Sequence, residues 1–215
     1  NNNKKIILYE RVSTKMAKIL MLVFAAILSV TLFGQEPIAK GGIIDLKNVN
    51  LNAETIKLRG EWKFFPNRYV NIENINIDKE FIIVKQPQYW QNIEYMGRKL
   101  HPVGYGTFVL NIEGLKPNTL YGISNDAVMS AYEMFANGKK IMEVGRVGKS
   151  KKEYDPGIQP KVGKIISNSD NITMVIYISN FDYPKAGMWE SIEIGAYEII
   201  EKKDQIRNMV EIFAF

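Results

Sequence analysis

Apolar and polar positions alternate most clearly over residues 131–143, which read A-Y-E-M-F-A-N-G-K-K-I-M-E. Tyr132, Met134 and Ala136 fall on one side of an extended chain, and Glu133, Phe135 and Asn137 on the other. Asn137-Gly138 is the dipeptide favoured by type I′ turns, whose two central residues both need positive φ. The segment therefore predicts a β-hairpin and points to an antiparallel β body. A second period-2 run covers residues 171–180. Ile172, Met174, Ile176 and Ile178 share one face, and Thr173, Val175, Tyr177 and Ser179 the other.

Weaker runs fill in the rest. Residues 43–46 predict a short strand after a glycine pair, and Ile56, Leu58 and Gly60 lead into another. Residues 60–66 predict an aromatic strand in which Trp62 and Phe64 point one way and Phe65 the other. Residues 81–84, 105–112, 120–123 and 192–197 complete the set, with at most a short strand at 164–167. Residues 85–104 and 145–170 read as long connections rich in turn residues. Eight or nine short strands, long connections and no convincing helix in the body predict an all-β fold, a jelly-roll β-sandwich over residues 38–200.

Both flanks change character. Ile19 to Phe33 is apolar apart from Ser29 and Thr31, follows Lys15 and Lys18, and ends at Gly34-Gln35-Glu36-Pro37. A basic region, a short apolar run and a small residue predict a secretory signal peptide in residues 1–35. The run is short for a bilayer span, which takes about 20 apolar residues, although an uncleaved anchor and a core helix stay open. Either leading reading sends residues 36 onward across the inner membrane. At the other flank Ile206, Met209, Val210 and Phe213 recur at helical spacing, with Ile212 and Phe215 widening the face. Residues 201–215 are expected to start a helix that continues into a membrane span.

Charge narrows the function classes. The formal net charge is +5, but residues 1–35 hold five bases (Lys4, Lys5, Arg11, Lys15, Lys18) and one acid, Glu10. The other 28 − 5 = 23 bases face 23 − 1 = 22 acids, so the body has no basic excess to drive nucleic-acid binding. There is no cysteine, hence no disulfide, thiolate metal site, cysteine nucleophile or lipoprotein anchor. A lone histidine, His101, leaves no His cluster for zinc. No phosphate-cradling G-x-x-x-x-G-K-[ST] loop occurs. Glu61 and Glu133 are acids in strands, but no spacing makes them the paired carboxylates of a glycosidase. No catalytic residue, metal or cofactor is expected.

The order of several short motifs resembles a known family, the extracellular domain of bacterial seven-transmembrane receptors with diverse intracellular signalling modules. The matching stretches are G-I-I-D-L at 42–46, L-R-G-E-W-K-F-F at 58–65, Pro87 with Trp90, and G-Y-G-T-F at 104–108. Tyr132 through Asn137-Gly138, Gly145, Gly148, I-S-N-F at 178–181 and I-E-I-G at 192–195 follow. Where the family often has histidines and a glycine pair, this chain has Asp182-Tyr183 and Ala186-Gly187. The resemblance covers residues 40–200. It implies a galactose-binding-like jelly roll on the extracytoplasmic face of a bacterial inner membrane, tied to the membrane by its flanks. It also implies a non-enzymatic sensor of a small molecule, with carbohydrate as one class, and is compatible with a homodimer. The alternative is a free or enzyme-attached carbohydrate-binding module.

Candidate ligand contacts lie on the connections, where sandwich domains carry their sites. Trp90 sits in a polar loop and either meets ligand or plugs one end of the sandwich; Trp189, with Tyr183, has the same two readings. Arg98, Asn137, Asn180 and Asp182 are the polar candidates. Asn137 also answers the needs of its turn, and Asn180 those of a strand end. His101, beside Pro102, reads as a solvated loop histidine. Trp62, Phe64 and Phe65 read as core.

Overall fold

The computed structural model describes residues 15–21 and 36–213, except 76, 126, 127, 158 and 160. The chain divides into Asn1–Glu36 and Pro37–Phe215. In the first unit residues 15–21 are helical, and most of the apolar 19–33 run lies outside the described residues. Among the described residues, no helix is long and apolar enough to cross a membrane.

The second unit carries strands β1 (Ile43–Asp45), β2 (Ile56–Lys57), β3 (Gly60–Pro66), β4 (Ile82–Gln86) and β5 (Gln88–Tyr89). Next come β6 (Glu94–Tyr95), β7 (Arg98–Lys99), β8 (Gly104–Glu113), β9 (Thr119–Asn125) and β10 (Val128–Met129). The series ends with β11 (Ala131–Ala136), β12 (Lys139–Val144), β13 (Lys161–Ser167), β14 (Asn171–Asn180), β15 (Gly187–Met188) and β16 (Glu193–Ala196). A large sheet runs β12-β11-β14-β8-β3-β4, with β1 added in parallel beside the far half of β8. A second sheet runs β13-β9-β16-β2, and β10-β15-β5 forms a small third. The expected all-β, jelly-roll sandwich is what this pairing builds.

The alternating faces land as the sequence predicts. Phe64, Phe108, Leu110, Met134 and Ile176 of the large sheet meet Tyr121, Ile123, Ile165 and Ile194 of the second sheet in one buried cluster with Trp62. Asn137 and Gly138 have φ of 46° and 81°, so the β11–β12 turn has the predicted handedness. Phe65 does point the other way, yet it is fully buried. It joins Val70, Ile75, Val109 and Val175 in a second cluster, because the 67–81 connection folds over the outer face of the large sheet. That cover is tied down by polar contacts. Thr107 Oγ1 donates to Arg68 O (2.8 Å), Tyr177 Oη donates to Val70 O (2.6 Å), and Arg68 pairs with Asp78 and with Glu80 (2.8 Å). The Glu80 amide and then the Arg68 guanidinium hold the Asp78 carboxyl below its ordinary value.

Two expectations change. The 85–104 connection is not a plain loop: it holds β5, a 3₁₀ turn at Trp90–Asn92 and the β6–β7 hairpin. The C-terminal helix (Tyr197–Phe213) starts four residues before the expected Glu201. Its first turn buries Ile200 against β9, where a Cβ on Gly122 would lie 2.8 Å from Ile200 Cβ, so only glycine lets the helix lie this close. Beyond that turn Ile206, Met209 and Val210, the predicted apolar face, are exposed. The side chain of Phe213, with that of Ile212, and all of Phe215 lie outside the described residues.

Candidate functional site

The site lies at the end of the sandwich where β3 leaves the large sheet and β8 enters it, a cleft of about 570 Å³. Its floor is aromatic. Phe64 stacks on Phe108 with ring centres 4.2 Å apart and meets the Trp90 indole at 6.1 Å. Gly106 leaves room for this: a Cβ there would come within 2.7 Å of the Phe64 ring. Trp90 is 2% exposed, and its indole N–H has no acceptor among the described residues.

One wall is the β6–β7 hairpin, in which Tyr95 pairs with Arg98 and Glu94 with Lys99. Opposite residues of an antiparallel pair share a face, so Tyr95 and Arg98 stand side by side. The turn between them is Met96-Gly97, with φ of 52° and 75°. Met96 is 82% exposed at the lip of the cleft. The other wall is Pro66, Asn67 and Tyr105, and the Asn67 amide donates to Tyr105 O (2.9 Å). Tyr105 is backed by the Tyr69 ring at 4.9 Å. Burial pushes the Tyr69 phenol above its usual value, and its hydroxyl donates to Gly148 O at 3.0 Å.

Residues 100–104 form the rim. The Leu100 amide donates to Ile93 O (2.9 Å), and Val103 N–H donates to His101 Nδ1 (3.1 Å). With Nδ1 accepting, the neutral imidazole carries its proton on Nε2. Arg98 and Lys99 form no ion pair among the described residues, and no Asp or Glu lines the cleft.

The candidates named from sequence fall into three groups. Trp90 and Arg98 line the cleft. Asn180, Asp182 and Tyr183 lie behind its rim. Asn180 is fully buried and donates through Nδ2 to Pro102 O (2.9 Å) and Tyr183 O (2.8 Å). Its Oδ1 accepts from Tyr183 N–H (3.1 Å) and Ser130 Oγ–H (3.2 Å). It is thus a rivet between two loops. Asp182 is held by Lys151. Trp189, 38% exposed, stacks on Tyr89 beside Lys185, on the small sheet. Asn137 is elsewhere: its Oδ1 accepts from Thr173 N–H (2.8 Å) near the start of β14, whereas Asn180 ends that strand. Seven residues of strand put about 23 Å between them. Turn chemistry alone accounts for Asn137. Glu61 and Glu133 are engaged separately, by the Gly41 amide (2.9 Å) and by Lys140 (2.7 Å).

Asn67, Tyr95, Lys99, His101 and Tyr105 also line the cleft and were not candidates from sequence. Only Gly97 marks their hairpin, and the pairing of Asn67 with Tyr105 is long-range. The arrangement suits a small ring-shaped ligand: half-buried Tyr95 and Tyr105 over the buried aromatic floor for a ring face, and donors around the edge.

No protein-family model matches the sequence, and no curated protein matches it. Solved structures are similar in part. The β-glucuronidase of Ruminococcus gnavus in complex with uronic isofagomine gives a TM-score of 0.47 at 13% identity, over 66% of this chain and 28% of that one. An uncultured Clostridium sp. β-glucuronidase gives 0.49 at 14%, over 66% and 28%. A glycosyl hydrolase family 2 member from Bacteroides cellulosilyticus gives 0.49 at 10%, over 66% and 20%. The chain spans less than a third of each.

Proposed function

We propose that residues 38–200 form a non-catalytic ligand-sensing domain of a membrane signalling receptor on the extracytoplasmic face of a bacterial inner membrane. The cleft takes a small ligand, with sugars the favoured class. The observation that carries the ligand reading is the cleft itself, an aromatic floor ringed by Asn67, Tyr95, Arg98, Lys99, His101 and Tyr105 at the loop end of a β-sandwich. Its volume lies within the usual range for small-molecule sites, about 300–1,000 Å³. The receptor and export readings draw on the flanking segments and the motif resemblance. Signalling follows if the ligand binds one receptor state more tightly than another.

Two measurements test this. Residues 1–40 fused to a reporter active only in the periplasm are expected to give activity, and a silent fusion counts against export. In the cleft, Tyr95→Ala removes a half-buried wall residue. It is expected to weaken binding of monosaccharides and their uronic acids about tenfold while leaving the unfolding midpoint within error. Unchanged affinity would move the site away from this cleft.

A further inference from the structure

We infer that the cleft selects a sugar carrying an anionic group over its neutral counterpart; this rests on the cleft being the ligand site. The observation is a charge imbalance in the cleft lining. The body has 23 bases against 22 acids, so no general basic excess accounts for it. The lining has two cations, Arg98 and Lys99, and no Asp or Glu among the described residues. Some of the body's other cations are paired where they stand: Arg68 with Asp78 and Glu80, Lys140 with Glu133 and Glu143, Lys151 with Asp182, Lys203 with Glu193. Arg98 and Lys99 form no ion pair among the described residues. The one acid of their hairpin, Glu94, stands opposite Lys99 but is not part of the lining.

The groups are also arranged for a ring bearing an acid. Arg98 shares its face with Tyr95, so a guanidinium lies beside an aromatic ring at the mouth of the apolar floor. A guanidinium grips a carboxylate through two parallel N–H bonds, and a sugar ring packs its C–H face on an aromatic one. His101, also in the lining, adds an uncharged N–H at Nε2. The floor sets the depth at which the ring rests, and the basic edge sets which ring substituent is preferred.

The test uses matched pairs that differ only at C6: D-glucose with D-glucuronate, and D-galactose with D-galacturonate, titrated against the full chain by calorimetry at low salt. The acid is expected to bind about tenfold or more tightly than its neutral partner, the gain of one charge-assisted hydrogen bond. The preference should shrink in 0.5 M NaCl, where charge is screened within a few ångströms. Arg98→Gln with Lys99→Gln, both exposed, should bring the acid down to the level of the neutral sugar without moving the unfolding midpoint. Equal affinity within each pair overturns the charge preference and leaves the cleft reading standing. Binding of none of the four overturns both. Equal competition by acetate, which has the charge without the ring, overturns the acidic-sugar assignment in favour of a plain anion site.

Discussion

Trp90→Ala is expected to destabilise the protein by about 3–5 kcal/mol, the range for deleting a buried aromatic, and to abolish ligand binding with it. The sequence left Trp90 between a ligand contact and a plug, because a tryptophan amid Gln88, Tyr89, Gln91 and Asn92 has polar neighbours on both sides. The structure gives it both positions. Its ring is buried against Phe64 and lines the cleft. Packing against it are elements distant in sequence: a Cβ on Gly187 would come within 2.8 Å of its indole, and its amide donates to Ala186 O (2.8 Å). Trp90→Phe should behave differently. It keeps most of the ring and deletes an indole N–H that has no acceptor among the described residues, so no buried bond is broken. Its expected cost is about 1 kcal/mol, typical of a modest change in core volume. Chemical denaturation of the two variants separates the cases. A loss under 1 kcal/mol for alanine would show that the floor is not part of the core.

The features readable from sequence are those with a local cause. Asn137-Gly138 dictates its turn within two residues, and the alternation in β14 assigns eight side chains to two faces without reference to the rest of the chain. Trp62, Phe64 and Phe65 were placed on their correct sides for the same reason. The features that were missed have distant causes. Nothing in the 67–81 segment announces that it covers Phe65; the cover depends on Thr107 and Tyr177, roughly 30 to 110 residues away. The C-terminal helix begins early because Gly122, 78 residues before Ile200, clears its path. The β6–β7 turn puts a methionine at positive φ, a position that favours glycine or asparagine, so its sequence carries half the usual signal. The cleft inherits this blindness. Its hairpin wall hangs on the weakest turn in the sequence, so Tyr95 and Lys99 went unnoticed although Arg98, between them, was a candidate.

Asn180 gives the second large effect, and the ranking of its two replacements depends on pH. The amide is fully buried and uses both ends: two carbonyls accept from Nδ2, while an N–H and a hydroxyl donate to Oδ1. Asn180→Ala strands these groups at about 1–3 kcal/mol for each that finds no water. Asn180→Asp keeps the shape but at neutral pH sets a carboxylate oxygen against Pro102 O and Tyr183 O. An uncompensated buried charge costs about 3–5 kcal/mol, so at pH 7 aspartate should be the worse replacement. Protonation removes the charge and supplies one O–H donor for those carbonyls. The folded pKa of the new acid must therefore lie above its unfolded value. The folded protein holds the extra proton between the two, and stability falls as pH rises through that window. Wild-type protein moves the other way in acid. The Asp78 and Glu143 carboxyls are held below their ordinary values, so what they contribute is lost as pH falls through their folded pKa values. The comparison is therefore made against wild type at each pH. Between pH 7 and pH 4 the deficit of Asn180→Asp should shrink until it is smaller than that of Asn180→Ala, which stays flat. Parallel deficits for the two variants would mean that the Nδ2 side of Asn180 does not face those carbonyls, and the rivet joining Pro102 to Tyr183 behind the cleft would have to be redrawn.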